Sequence, residues 1–165
     1  MDKLLFDFRR TDTAGTWSAI DDRVMGGVSR SQLRHDSAGH AVFEGEVSLD
    51  NNGGFASVRS APQPIGAPDA TTLMLEVRGD GRVYKLNLRT DDAFDGVSYQ
   101  AAFTAPAGQW VTLDLPLADF RPVYRGRAVP GAPALEVARL RQVGLMIADQ
   151  QAGRFALDVR SISLA

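Results

Sequence analysis

The chain has 165 residues, of which 44% are hydrophobic and 23% are charged, and its formal net charge at pH 7 is -2. This length and balance are typical of one globular domain with its own core, and we expect a single domain over residues 1–165. The slight acidity argues against a nucleic-acid partner held by bulk electrostatics. Cysteine is absent from the sequence, which excludes disulfides and thiolate metal sites.

The first ten residues contain no apolar run of the length found in a secretory signal peptide. No segment approaches the roughly 20 apolar residues that a membrane-spanning helix needs. We therefore expect a cytoplasmic protein without a membrane span.

Apolar and polar residues alternate with a period of two along most of the chain, which predicts strands with one buried face. The clearest case is Val83–Arg89, in which Tyr84, Leu86 and Leu88 oppose three polar residues. In chain order, the pattern predicts strands at residues 4–8, 31–35, 41–49, 55–60, 72–78, 83–89, 97–104, 110–115, 143–148 and 154–164.

Turn-forming residues separate these strands at short intervals, while helical periodicity is limited to residues 135–140. The Pro-rich residues 61–70 are expected to form an ordered loop. Short strands with this spacing favour an all-β fold, an antiparallel β-sandwich of jelly-roll type.

Two glycine pairs lie beside polar and aromatic residues, one in residues 17–29 and the other in residues 51–55. Glycine permits a positive φ and a close approach of the backbone to other groups, so we expect a shaped surface site here. The residues expected to maintain its shape are Asp22, Gly26, Gly27, Ser29, Gly53 and Gly54. Asp22 is expected to cap the turn that follows it.

No complete catalytic or cofactor-binding set is visible. His35 and His40 lie in a polar hairpin and are expected to be solvated. Asp21 and Asp22 are adjacent, and neighbouring residues of a strand point to opposite faces, which disfavours a carboxylate dyad. The acidic turn at residues 91–96 lacks the ligand spacing of an EF-hand, and no phosphate-binding glycine loop is present. We expect no metal, no cofactor and no enzymatic activity.

Several strands place polar side chains on what would be an exposed sheet face. These residues are Ser57, Arg59, Glu76, Arg78, Lys85, Asn87, Arg89, Ser98 and Gln100. If the strands share one sheet, cations and amides line a concave surface suited to carboxylates, carbonyls or sugar hydroxyls. An ordinary solvated sheet face would show the same pattern. The candidate ligand-binding or partner-binding residues are Trp17, Asp22, Asn52, Arg59, Lys85, Arg89 and Gln100.

The sequence resembles the family of complex I intermediate-associated protein 30 (CIA30). The resemblance is carried by Trp17, Tyr84, Phe103 and Trp110 and by residues 21–29, 43–45, 52–59, 88–90, 99–100, 115–116, 120–122, 125–126, 143–149 and 155–159, in order along nearly the whole chain. It implies a galactose-binding-like jelly roll and, for family members, a role in building respiratory complex I. The chain resembles a stand-alone member of that family.

Two functions of different classes fit these features. The first is a non-enzymatic protein that holds a protein partner, such as a respiratory-complex subunit, during assembly. The alternative is a domain like a carbohydrate-binding module that binds a small glycan through Trp17, Trp110 and Asn52. An enzyme that uses Asp21 or Asp22 with Arg23 is a weaker third hypothesis.

Overall fold

The structure, a computed structural model, describes residues 2–22, 26–91 and 96–165, without the side chain of Asn52. The ligand role expected for Asn52, the part expected for Arg23 and most of the acidic turn at residues 91–96 therefore lie outside the described residues.

The described residues form strands joined by loops and short 3-10 turns. In chain order the strands are β1 (Lys3–Asp7), β2 (Trp17–Ala19), β3 (Arg30–Asp36), β4 (His40–Val47), β5 (Ala56–Ser60), β6 (Thr72–Arg78), β7 (Val83–Arg89), β8 (Ser98–Thr104), β9 (Trp110–Pro116), β10 (Arg121–Tyr124), β11 (Arg127–Ala128), β12 (Gln142–Ile147) and β13 (Gly153–Leu164). The 3-10 turns are Ala14–Thr16, Asp50–Asn52, Leu117–Asp119 and Val137–Arg139. None of these turns has the length or the apolar character to cross a lipid bilayer.

The strands pair into two antiparallel sheets, which confirms the predicted sandwich. Sheet A has the order β3-β4-β13-β6-β9, and β1 also pairs with β13. Sheet B has the order β11-β10-β8-β7-β12-β5-β2. The long strand β13 pairs with β4 through residues 153–159 and with β6 through residues 158–164.

Side chains from the inner faces of both sheets form the hydrophobic core. Leu75 of sheet A and Leu86 of sheet B are fully buried, and the alternating residues beside them in β6 and β7 follow the same pattern. Tyr84 packs edge-on against Phe43 and Phe155, with ring centroids 6.2 and 6.3 Å away. Burying one such side chain stabilises the fold by about 1.5–3 kcal/mol, so the two-residue period determines which face turns inward.

Three short strands are absent from the sequence prediction. β2 and β11 are too short to show alternation, and Pro122 interrupts the pattern of β10. The helix-like pattern at residues 135–140 yields the single 3-10 turn Val137–Arg139. The loop of residues 61–70 is anchored by the buried side chain of Ile65, whose N–H donates to the Leu140 carbonyl at 3.0 Å.

Candidate functional site

Asp22 lies between the two glycine pairs, with its carboxylate buried. Oδ1 accepts a hydrogen bond from the Ser29 N–H at 2.9 Å, and Oδ2 accepts one from the Ser29 hydroxyl at 2.5 Å. Oδ2 also accepts from the N–H groups of Gly54 at 2.7 Å and Phe55 at 3.3 Å. Burial raises the pKa of Asp22, but these hydrogen bonds outweigh it and the pKa is lowered. One carboxylate thus ties the two glycine segments together.

The glycine pairs leave room for this carboxylate. A Cβ added at Gly27 would lie 2.5 Å from Cγ of Asp22, and one at Gly53 would lie 2.5 Å from Oδ2 of Asp22. Their neighbours Gly26 and Gly54 have φ of +89° and +154°. Each pair therefore combines one glycine in a backbone conformation that L side chains rarely adopt with one in close contact with the carboxylate.

Asp21 makes a parallel set of contacts. Its Oδ1 accepts from the Ser31 hydroxyl at 2.5 Å and from the Ser57 N–H at 3.0 Å, and its Oδ2 accepts from the Ser31 N–H at 3.1 Å. Asp21, Asp22, Ser29 and Ser31 are named the clasp, because they join the start of β3 in sheet A to the β5 region of sheet B. The two carboxylates accept from separate sets of donors rather than facing each other as a catalytic dyad.

Two of the predicted ligand-binding side chains are inaccessible. The Trp17 ring is 7% exposed and packs edge-on against Phe6 at 5.0 Å and Phe8 at 5.6 Å. Asp22 is fully buried; the turn that it was expected to cap, residues 24–27, lies partly outside the described residues, and its carboxylate accepts instead from Ser29 and Gly54. The ligand contacts predicted for Trp17 and Asp22 do not fit this geometry, because β2 turns the tryptophan into the core and the clasp encloses the carboxylate.

Four of the predicted binding residues, Arg59, Lys85, Arg89 and Gln100, meet on the outer face of sheet B. In the sheet register Arg59 and Asn87 lie opposite Gly144, Gln100 lies opposite Asn87, and Arg121 lies opposite Gln100. These residues form one row across five neighbouring strands, which we call the central row. Arg121 was not among the predicted binding residues, because Pro122 interrupts the pattern of β10, and Arg121 and Val123, which share a face, differ in polarity.

Lys85 and Arg89 lie two residues before and after Asn87 on β7 and flank the central row. Lys85 Nζ donates to Oδ1 of Asp149 at 3.1 Å. Within the row, Gln100 Nε2 donates to Oδ1 of Asn87 at 2.9 Å. The structure thus brings Arg59, Lys85, Arg89 and Gln100 of the predicted site together.

At its end the row reaches β10. Arg121 is exposed, and its Nη1 donates to the carbonyl oxygens of Ala118 at 2.6 Å and Phe120 at 3.4 Å. Both acceptors are neutral carbonyl oxygens, and no carboxylate of the described residues pairs with Arg121.

Glu76 and Arg78 do not belong to this surface, contrary to the prediction. They lie on β6 in sheet A, where Arg78 Nε is 2.7 Å from Oδ2 of Asp158 and Arg160 Nη1 is 3.5 Å from Oε1 of Glu76. The alternation of residues along a strand identifies its solvent-exposed face, but it does not show which of the two sheets the strand joins.

The prediction that His40 is solvated in a hairpin is also wrong. It is 5% exposed, its ring centroid is 5.3 Å from that of Trp110, and its Nε2 is 3.5 Å from Oδ1 of Asp158. Strand β4 places the histidine in a charged cluster on the outer face of sheet A.

Charge is divided unequally between the sheets. The strands of sheet B contain no Asp or Glu, and their basic residues are Arg59, Lys85, Arg89, Arg121 and Arg127. The acidic residues in the strands of sheet A are Asp7, Asp36, Glu44, Glu46, Glu76, Asp114 and Asp158. Sheet B is therefore locally positive in a protein whose net charge is negative.

The model of the family Complex I intermediate-associated protein 30 (CIA30) matches residues 6–159. The chain belongs to this family. A mitochondrial complex I intermediate-associated protein 30 from Drosophila melanogaster is 26% identical over 183 residues, which cover 98% of this chain and 62% of that protein. An uncharacterized protein of Schizosaccharomyces pombe is 31% identical, over 87% of this chain and 75% of that protein.

Solved structures support the fold assignment. A family 11 carbohydrate-binding module of a Clostridium thermocellum cellulosomal cellulase is similar with a TM-score of 0.73 and 16% identity, over 99% of this chain and 94% of that one. The module in complex with a mixed-linked tetrasaccharide gives a TM-score of 0.72, also at 16% identity and with the same coverage. At this identity the likeness establishes the fold alone, a galactose-binding-like jelly roll, as predicted.

The named relatives correct one expectation. The Drosophila protein and a Mus musculus relative, 24% identical over 98% of this chain and 56% of that protein, are both named as mitochondrial. The predicted cytoplasmic location is therefore wrong. It was inferred from the lack of an apolar N-terminal run, but mitochondrial targeting segments are amphipathic and Arg-rich and need no such run.

Proposed function

We propose that this CIA30-family domain is a non-catalytic binding domain that holds a partner protein while a multi-subunit complex is assembled. The observation that carries the proposal is the family match over residues 6–159, together with relatives named as complex I intermediate-associated proteins. A respiratory complex I subunit or assembly intermediate is the corresponding partner. The chain spans 62% and 56% of the two named animal relatives, so this role is assigned here to the domain they share.

The placement of the acidic residues supports a binding role over an enzymatic one. A general base needs access to a substrate proton, whereas Asp22 is buried and accepts hydrogen bonds from Ser29, Gly54 and Phe55. Asp21 is similarly occupied by Ser31 and Ser57. The two carboxylates therefore stabilise the contact between the start of β3 and the β5 region.

The outer face of sheet B is the surface we assign to the partner. Its central row presents guanidinium and amide groups, which recognise carboxylates and peptide groups of proteins. Arg59, Lys85, Arg89 and Gln100 are the residues proposed to contact the partner.

Glycan binding is the second candidate, since structures of similar fold are carbohydrate-binding modules. Aromatic rings that stack on sugar rings are the usual requirement for such a site. In sheet B the rings of Tyr84, Tyr99 and Phe103 all turn into the core, with exposures of 0%, 5% and 5%. Tyr124 is exposed, but it lies on β10, near the edge of the sheet. This arrangement favours the protein partner.

The test is to express the tagged full chain in its native cell, cross-link, and identify the captured proteins by mass spectrometry. We expect respiratory-complex subunits to be enriched over a tag-only control, and the double variant Arg59→Gln, Arg89→Gln to reduce that enrichment while melting near the wild-type temperature. Saturable binding of a simple glycan in a calorimetric screen, without enrichment of any such subunit, would replace this proposal by the second candidate.

A further inference from the structure

Resting on the proposed partner-binding role, we infer that the outer face of sheet B recognises an acidic, extended segment of the partner polypeptide. The starting observation is the unequal division of charge. The strands of sheet B contain basic residues and no acidic ones, whereas the acidic strand residues lie in sheet A. A locally positive face on an acidic protein attracts a negatively charged partner and orients its approach.

The spacing of the cations sets the length of this segment. Arg59 on β5 and Arg121 on β10 stand at the two ends of the central row, with β12, β7 and β8 between them. At about 4.8 Å between neighbouring strands, the two ends are roughly 19 Å apart. An extended peptide rises about 3.3 Å per residue, so about six residues cross the row. Acidic side chains near both ends of such a segment would meet the two guanidinium groups.

The middle of the row is suited to a peptide backbone. Asn87 and Gln100 lie between the cations, and each amide offers both donors and an acceptor. Gly144, which lies beside Asn87 in the row, carries no side chain. The centre therefore offers hydrogen bonds to peptide groups without adding charge.

The face already holds one carboxylate from the chain itself. Asp149, in the loop after β12, is 3.1 Å from Lys85 Nζ, and its side chain is 61% exposed. This pair demonstrates the chemistry assigned to the partner's carboxylates, and its exposure makes it exchangeable, because exposed ion pairs are weak.

A protein carboxylate fits this face better than a nucleic acid does. The cations are separated by amides and by Met146, whose Sδ is 3.9 Å from Gln100 Nε2, rather than forming a continuous basic track along a phosphate backbone. The described side chains of this face include no aromatic ring for stacking on a base, since Tyr84, Tyr99 and Phe103 are buried and the register of β10 places Tyr124 on the face opposite to Arg121.

The experiment measures fluorescence anisotropy of a labelled oligoglutamate peptide of about seven residues, long enough to cross the row. The full chain is compared with Arg121→Glu and with Arg154→Glu. Arg154 is a matched control: it is exposed, it lies on β13 in sheet A, and its substitution changes the net charge by the same amount. We expect Arg121→Glu to weaken binding at least about fivefold and Arg154→Glu less than about twofold, with wild-type affinity falling as salt is added.

Arg59→Gln is a second variant at the other end of the row and is expected to weaken binding in the same direction. Equal losses for Arg121→Glu and Arg154→Glu would overturn the inference, since net charge alone would then explain binding. The absence of saturable oligoglutamate binding would also overturn it, as would tighter binding to single-stranded DNA or to phosphatidylserine vesicles than to the peptide.

The two proposals fail separately. If the cross-linked partner is captured equally by wild type and by Arg121→Glu, the assembly role stands and the acidic-segment inference falls. If oligoglutamate binds at the row but no respiratory-complex subunit is captured, the recognition chemistry stands and the assembly role falls.

Discussion

The clasp places two adjacent carboxylates, Asp21 and Asp22, inside the protein and occupies them with serine and backbone donors. The outer face of sheet B instead presents cations and amides, among them the exposed Arg121, whose guanidinium donates to neutral carbonyl oxygens. The Asp21-Asp22 pair of residues 17–29 thus holds the two sheets together. The proposed recognition surface comes from strands whose polar pattern an ordinary solvated sheet face would also show.

The largest effect is expected in the clasp. Asp22→Ala removes a charged acceptor from the buried donors of Ser29 and Gly54, and should lower the free energy of unfolding by about 3 kcal/mol or more. Asp114→Ala is the matched control, since Asp114 is exposed on β9. Urea denaturation measures both. Similar decreases in the free energy of unfolding for the two variants would contradict a special stabilising role of the clasp.

The second largest effect on stability is expected at Gly27, which lies close to the carboxylate of Asp22. Gly27→Ala places a methyl group 2.5 Å from Cγ of Asp22 and should destabilise the fold by about 1–3 kcal/mol. Gly15→Ala, at a position with no atom within 4 Å, should change the free energy of unfolding by less than about 0.5 kcal/mol. Equal melting temperatures for the two variants would contradict the packing derived for Gly27.

The clasp also predicts a pH dependence. The folded-state pKa of Asp22 is lowered, so its contribution to stability is present above its unfolded pKa and is lost as pH falls through the folded pKa. Asp36 and Glu44 have lowered pKa values and contribute with the same sign. Wild-type stability should therefore fall on acidification below about pH 4, and Asp22→Asn should flatten part of that fall. Denaturation curves over this pH range that are parallel for wild type and variant would refute the contribution of Asp22.

The smallest effect on stability belongs to the recognition face. Arg121→Glu should change the free energy of unfolding by less than about 0.5 kcal/mol, because its side chain is exposed and donates to the nearby carbonyl groups of Ala118 and Phe120. Urea denaturation of the purified variant checks this. A decrease of several kcal/mol in the free energy of unfolding would show that Arg121 stabilises the fold, as the clasp does.

The sequence predicted the strands because burial of one face imposes a two-residue period that long strands such as β6 and β7 display fully. It could not assign strands to sheets, which is why Glu76 and Arg78 were grouped with Lys85. Trp17 was misjudged because a three-residue strand shows too little alternation to reveal its buried side. The contacts of Asp22 with Ser29, Gly54 and Phe55 form only when distant segments meet in the folded sandwich, and the local alternation of residues does not predict such meetings.

The position of β13 constrains how the chain is made. This strand follows the other twelve in chain order, yet it lies in the middle of sheet A, between β4 and β6, and β1 pairs with its C-terminal end. Sheet A cannot close until Leu164 has left the ribosome, so the nascent chain carries open edges on β4 and β6 until translation of this region ends. Removal of β13 would separate β3 and β4 from β6 and β9 and would take away the strand with which β1 pairs.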